Sequence, residues 1–129
     1  MRSLILTLAA VLSLAAAPGA KKKVYKLKPA QMKVLAPNKG SCIATDRITV
    51  DGAKVGYMYR EKPDLDHDSG WRFFAGDESD AYANDATKLA RYDVNTVANY
   101  DPEIIPLLGA PLGSKFGRDP KTKKFVAEK

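Results

Sequence analysis

The chain has 129 residues, 45% of them hydrophobic and 28% charged, which suits one folded domain with a single core but not two. Its formal net charge is +6, but its lysines lie mainly near the two ends and are not interleaved with aromatic residues on one element, so we expect no nucleic-acid partner. A single cysteine excludes an internal disulfide, and one cysteine with one histidine excludes a zinc site built from several such ligands.

The N-terminus has the layout of a secretory signal peptide. A cationic start is followed by an apolar run from Leu4 to Ala17 and then by small residues before three lysines. The apolar run is shorter than the roughly 20 residues that span a bilayer. We therefore expect residues 1–20 to be removed after Ala20. The rest of the chain should have no transmembrane segment and should be periplasmic or secreted.

Charge divides the rest of the chain into parts. Residues 21–40 are predicted to be a basic, solvated linker, and residues 41–129 a single domain. Eleven basic and three acidic residues occupy 21–62, whereas 63–80 carry six acids and one arginine. The sequence therefore predicts a basic body with one acidic patch, which is suited to a cationic protein partner.

The first predicted elements are strands. Residues 42–61 are typical of two strands around the turn Asp51-Gly52, a pair that favours tight hairpin turns. Residues 63–70 are polar and predict a loop. "WRFFAG", residues 71–76, is short and aromatic and predicts a third strand.

The second half alternates short helices and strands. Residues 77–85 predict a helix capped by Asp77, and "KLARYDV" predicts a strand. Asp101 is predicted to cap a second short helix, and two strands should flank the turn "RDPKTKK". We expect an α+β fold, with a mainly antiparallel sheet and short helices on one side.

Three alternating carboxylates, Asp64, Asp66 and Asp68, suggest a calcium loop. They match the first, third and fifth positions of a helix-loop-helix site. The sixth position is Ser69 instead of glycine, and the twelfth is Ala75 instead of glutamate. The three aspartates are thus weak calcium candidates, and an exposed acidic loop is the alternative.

The only histidine, His67, is the one candidate for acid–base catalysis. An envelope hydrolase would have to use it with nearby carboxylates, with a serine or with Cys42. A histidine between two aspartates does not align a nucleophile, so we expect no catalytic residues and a non-enzymatic protein. No glycine-rich loop opens a predicted helix in the pattern that binds phosphates, so we expect no cofactor.

Aromatic residues next to the acids favour recognition of a protein. Trp71 and Phe73 share one face of their strand, and Arg72 lies on the other. Phe73 is expected in the core, whereas Trp71 suits either the core or the centre of a contact, where Trp and Arg are enriched. The predicted partner-binding residues are Asp64, Asp66, Asp68, Trp71, Arg72, Asp77, Glu78 and Asp80.

Three segments together resemble one bacterial family: "TDRITVDGAKVGYMYRE", "DSGWRFFAGDESD" and "YDVNTVANYDPEIIPLLGAPLGSKFGRD". They are similar to the immunity protein 33-like domain, grouped with predicted immunity proteins of polymorphic toxin systems. The resemblance covers roughly Cys42 to Val126. It implies an α+β fold and a role in binding and neutralising a toxin encoded nearby. The signal peptide implies a toxin that acts outside the cytoplasm, or else reuse of the domain as an exported stand-alone binding module.

Overall fold

The computed structural model describes residues 22–129, so the predicted signal peptide lies outside the described residues. The strands are Ser41–Thr45 (β1), Tyr57–Arg60 (β2), Asp68–Phe74 (β3), Leu89–Asp93 (β4), Lys115–Arg118 (β5) and Phe125–Glu128 (β6). They form one six-stranded sheet in the order β4-β1-β3-β2-β5-β6. Only β1 and β3 pair in parallel, and the other neighbours are antiparallel.

The helices are short. The α-helices are Asp46–Thr49 (α1), Asp80–Ala83 (α2) and Val94–Tyr100 (α3), and 3-10 turns cover Pro29–Gln31, Ala86–Lys88 and Pro102–Leu107. The predicted α+β class with a mainly antiparallel sheet is confirmed. No helix within residues 22–129 is long and apolar enough to cross a membrane.

The hairpin predicted over residues 42–61 is wrong. The chain forms α1 after β1, and β3 lies between β1 and β2 in the sheet. Gly52 ends the helix: it has a φ of +82°, and its backbone N–H donates to the Ile48 carbonyl. A positive φ is also what a tight hairpin turn needs, so the same residue suits both structures. Burial of Ile48 in the core favours the helix.

Two predictions of helix caps had different outcomes. Asp101 caps the 3-10 turn as predicted, accepting a hydrogen bond from the Glu103 backbone N–H. Asp77 does not cap α2, because Ser79 accepts from the Tyr82 N–H while Asp77 pairs with Arg47. The predicted strand "KLARYDV" and the C-terminal strand pair are confirmed as β4 and β5–β6.

Alternation along the strands gives the sheet two apolar faces. Trp71 and Phe73 lie on the face that packs against α1, α3 and the Pro102–Leu107 turn. Trp71 is 1% exposed, and its indole N–H donates to the Leu108 carbonyl at 3.1 Å. The second face carries a smaller cluster, Ile43, Tyr57, Tyr59, Phe74, Ala83 and Leu89.

The segment predicted as a solvated linker is hydrogen-bonded to the domain. The Lys26 backbone N–H donates to the Thr49 carbonyl at 2.8 Å, and the Leu27 N–H donates to the Tyr100 hydroxyl at 3.0 Å. Farther along, the side chains of two α3 asparagines bind the backbone of residues 33–36. Residues 26–36 thus follow one side of the domain.

Candidate partner-binding site

The acids predicted to form one patch lie at two ends of the sheet. Asp64 and Asp66 precede β3, whereas Asp77 and Asp80 follow it. A strand of seven residues spans about 20 Å, so the two groups are separated by that length. The single patch is therefore wrong, and each end has to be considered by itself.

Asp68 and Arg72 form a buried ion pair at the first end. The guanidinium binds both carboxylate oxygens, at 3.0 and 2.8 Å, and the Arg72 residue is 1% exposed. Asp68 also accepts from the backbone N–H groups of Gly70 and Asp64, each at 3.0 Å. Burial by itself would raise the pKa of Asp68, but the hydrogen bonds from Arg72 and the two amides hold it well below its ordinary value.

Three more charges surround this pair. Glu61 accepts from Arg72 Nε at 2.7 Å, and Asp64 accepts from Arg91 Nη2 at 2.6 Å. Arg91 Nη1 is buried without a hydrogen-bond partner and lies 3.8 Å from Asp68 Oδ1. We call these five residues, three acids and two arginines, the Arg72 cluster. Its charges alternate, so each buried charge has a partner of opposite sign.

The loop of residues 62–67 is anchored to the Arg72 cluster and, at both of its ends, to neighbouring strands. The Glu61 N–H donates to the Gly70 carbonyl at 2.9 Å at one end, and the Ser41 N–H donates to the His67 carbonyl at 2.8 Å at the other. Asp64 anchors the middle of the loop through Arg91. The loop therefore has a fixed backbone, which lowers the entropy lost when a partner binds.

All six residues of this loop are exposed, among them the cation Lys62, and Asp64 is the one whose carboxylate is paired, with Arg91. Leu65 is 57% exposed. The carboxylate of Asp66 makes no hydrogen bond or ion pair with the described residues. The loop thus offers an apolar side chain beside a free negative charge.

A family model described as the immunity protein Imm33 domain matches residues 42–128. The chain belongs to this family. The match begins in β1 and ends in β6, so it includes the whole Arg72 cluster and the 62–67 loop. No curated protein and no solved structure gives a significant match to the chain.

Trp71, Arg72 and Asp68 lie inside this Imm33 domain, although the sequence predicted them to contact a partner. Their exposed fractions are 1%, 1% and 7%. Trp71 fills the core, and the other two neutralise each other beneath the 62–67 loop. Asp68 and Arg72 support the loop from inside the domain, because Asp68 accepts a hydrogen bond from the Asp64 backbone N–H.

The acids after β3 are mostly engaged in local contacts. Asp77 binds Arg47 at 2.7 Å, and this hydrogen bond lowers the pKa of Asp77. Glu78 accepts from the backbone N–H groups of residues 75 and 76 and from the Thr45 hydroxyl. Asp80 is exposed at the start of α2. Only Asp80 in this group has a carboxylate without a described partner.

The calcium candidates have arginine partners. Two of the three, Asp64 and Asp68, direct their oxygens to Arg91 and Arg72 instead of toward a shared space. Among the described residues, no group of three or more His, Cys, Asp or Glu side chains is arranged to hold a metal ion. The geometry at this end of the domain therefore favours ion pairs with arginine over binding of calcium.

The pairing that a hydrolase would need is not formed by the described residues. The ring of His67 makes no hydrogen bond to a carboxylate, serine or cysteine in this part of the chain. Cys42 is fully buried, and burial raises the pKa of its thiol, which makes it a poor nucleophile.

Sequence reasoning missed Glu61, Arg91 and Leu65. Arg91 lies 27 residues from Asp64, its ion-pair partner, so no local spacing connects the two. Leu65 is a single leucine between acids, which sequence alone does not distinguish from a core residue. Arg91 could have been placed near Asp64 only if the pairing of β4 with β1 had already been known.

Proposed function

We propose that this Imm33 domain is an exported immunity protein that binds and neutralises a toxin outside the cytoplasm through the 62–67 loop. The observation that carries the proposal is the fixed loop above the Arg72 cluster, with Leu65 and Asp66 directed to solvent. Membership of an immunity-protein family supports binding of a toxin as the activity. The signal-peptide-like N-terminus supports an exported location.

The loop suits a contact in which an apolar side chain is surrounded by charge. Leu65 would enter a pocket of the toxin and lose its water, the kind of contact that dominates binding energy. Asp66 would face a basic residue of the toxin and speed the encounter by electrostatic attraction. Recognition of this kind needs no chemical step by the domain.

Toxin rescue tests this proposal. Each neighbouring open reading frame is exported to the periplasm of a naive host, with and without this protein, and survivors are counted. We expect one neighbour to be toxic and to be neutralised. Failure of every neighbour would contradict the immunity role and would favour an exported stand-alone binding module.

A pair of matched variants then tests the loop. Leu65→Ser should abolish most of the rescue, because it removes the exposed apolar side chain without disturbing the core. Val34→Ser is the control, since Val34 is 78% exposed and lies in the N-terminal segment. Equal rescue by the two variants would show that the toxin binds elsewhere.

A further inference from the structure

A basic cavity lies at the opposite end of the sheet from the 62–67 loop. It has a volume of about 570 Å³ and lies between the residues that precede β2 and the turn that joins β5 to β6. Its basic residues are Lys54, Arg118, Lys123 and Lys124, and Glu103 is its one acidic residue. We call it the Lys54 pocket.

Arg118 lines this pocket, but its guanidinium is engaged in contacts within the protein. Its guanidinium donates to the Val55 carbonyl at 3.0 Å, to the Lys123 carbonyl at 2.7 Å and to Asp101 at 2.7 Å, and it also binds Glu103. These contacts join the start of β2, the β5–β6 turn and the Pro102–Leu107 turn. The two carboxylates exceed the charge of Arg118 by one, and Glu103 also interacts electrostatically with Lys54.

The three lysines are the unpaired charges of the pocket. The ammonium groups of Lys54, Lys123 and Lys124 make no hydrogen bond or ion pair within residues 22–129. The turn that carries two of them is fixed, because the Asp119 carboxylate accepts from the backbone N–H groups of residues 121 and 122. Three lysines that line one pocket favour an anionic ligand.

Backbone hydrogen bonds fix the floor of the pocket. Val55 is fully buried, and Gly56 pairs on both sides, donating to the Phe74 carbonyl at 2.8 Å and accepting from the Arg118 N–H at 3.2 Å. A side chain at Gly56 would collide with the Ala75 carbonyl, so glycine keeps the floor flat.

The pocket adjoins an edge of the sheet. Lys123 and Lys124 directly precede β6, which pairs only with β5 among the described strands. The outer side of β6 therefore offers backbone groups to an added strand. An extended peptide can pair with this edge and continue past the start of β6 into the pocket, whereas a lipid headgroup or a free phosphate uses the lysines alone.

We propose that β6 and the Lys54 pocket bind an extended, acidic segment of a protein partner by strand addition, with carboxylates of the segment on the three lysines. This site is separate from the 62–67 loop and does not depend on toxin binding there. It gives the domain a second binding surface. This surface selects acidic segments, whereas the 62–67 loop is suited to a basic surface.

Fluorescence anisotropy with a short labelled peptide of alternating valine and glutamate tests the site. We expect the double variant Lys54→Glu/Lys124→Glu to weaken binding about tenfold or more, as loss of two close charge pairs predicts. The control Lys33→Glu/Lys39→Glu makes the same change of charge on exposed lysines elsewhere and should bind like the wild type. Equal weakening by both pairs would reduce the effect to net charge and overturn the site.

Four further measurements complete the test. A peptide with glutamine in place of glutamate should bind weakly, and so should one with alternate backbone nitrogens methylated, because methylation removes donors that strand addition needs. Full binding of the methylated peptide would overturn strand addition. Binding to vesicles of anionic phosphatidylglycerol without binding to the acidic peptide would identify a membrane surface and overturn the proposal. Toxin rescue should be unchanged in Lys54→Glu/Lys124→Glu, which separates this site from the 62–67 loop.

Discussion

Asp68 balances a cation that has no access to water. Replacing Asp68 by alanine would leave Arg72 buried with Glu61 at 2.7 Å and Asp64 at 4.0 Å as its remaining acidic partners. Breaking a buried ion pair in this way costs about 3–5 kcal/mol, and we expect a loss of that size in urea denaturation. Asp66→Ala is the control, with an expected change within about 0.5 kcal/mol because its carboxylate has no described partner. A loss below about 1 kcal/mol for Asp68→Ala would contradict the buried pair.

The same residue predicts sensitivity to acid. The pKa of Asp68 in the folded protein is lower than in the unfolded chain, so the unfolded chain takes up a proton at higher pH. The stabilisation is complete above pH about 4 and is lost as the pH falls through the folded pKa. We expect the free energy of unfolding to decline less steeply below pH about 4 in Asp68→Asn than in the wild type. Parallel curves from urea denaturation across this range would assign the acid sensitivity to other groups.

Trp71 belongs to the core and not to an exposed contact. Trp71→Ala should cost about 3–5 kcal/mol in free energy of unfolding, since the ring is buried and its N–H is bonded to Leu108. Denaturation monitored by far-ultraviolet circular dichroism avoids dependence on the lost fluorophore. A cost under about 1 kcal/mol would mean that the ring is exposed in solution.

At the scale of elements, α3 fixes the N-terminal segment. Asn95 accepts from the backbone N–H groups of Leu35 and Ala36, and Asn99 binds both backbone groups of Lys33. The double variant Asn95→Ala/Asn99→Ala should therefore release residues 33–36 while the sheet stays folded. Hydrogen exchange measures this: the amides of residues 33–36 should exchange faster, and those of β1 and β3 serve as the internal reference. Unchanged exchange in residues 33–36 would show that other contacts hold the segment.

The elements that sequence predicted correctly have local signals. The cap at Asp101 and the strand pair around "RDPKTKK" depend only on residues close in the chain. The hairpin over residues 42–61 failed because Asp51-Gly52 suits both a turn and a helix end, and only the insertion of β3 between β1 and β2 decides between them. The Arg72 cluster was missed in part for the same reason, since Glu61 and Arg91 reach it from separate strands and loops.

For the whole molecule, the uneven charge of the sequence becomes two ends with different chemistry. One end presents Leu65 and Asp66 beside the Arg72 cluster, and the other holds the acids that follow β3 together with the three lysines of the Lys54 pocket. The sequence indicated the acids but not their division into two groups, because a single strand, β3, places those before it about 20 Å from those after it. The two ends are therefore expected to bind different partners.

We expect the toxin to bind at the 62–67 loop and not at the end of the sheet that carries Asp80. Association and dissociation rates should be measured for the toxin identified by rescue, against the wild type, Asp66→Lys and Asp80→Lys, at low and high salt. The two variants make the same change of charge at opposite ends of β3. We predict that Asp66→Lys slows association about tenfold at low salt and flattens its salt dependence, whereas Asp80→Lys stays close to the wild type. Slower association with Asp80→Lys and unchanged association with Asp66→Lys would contradict the claim and place the toxin at the other end of the sheet.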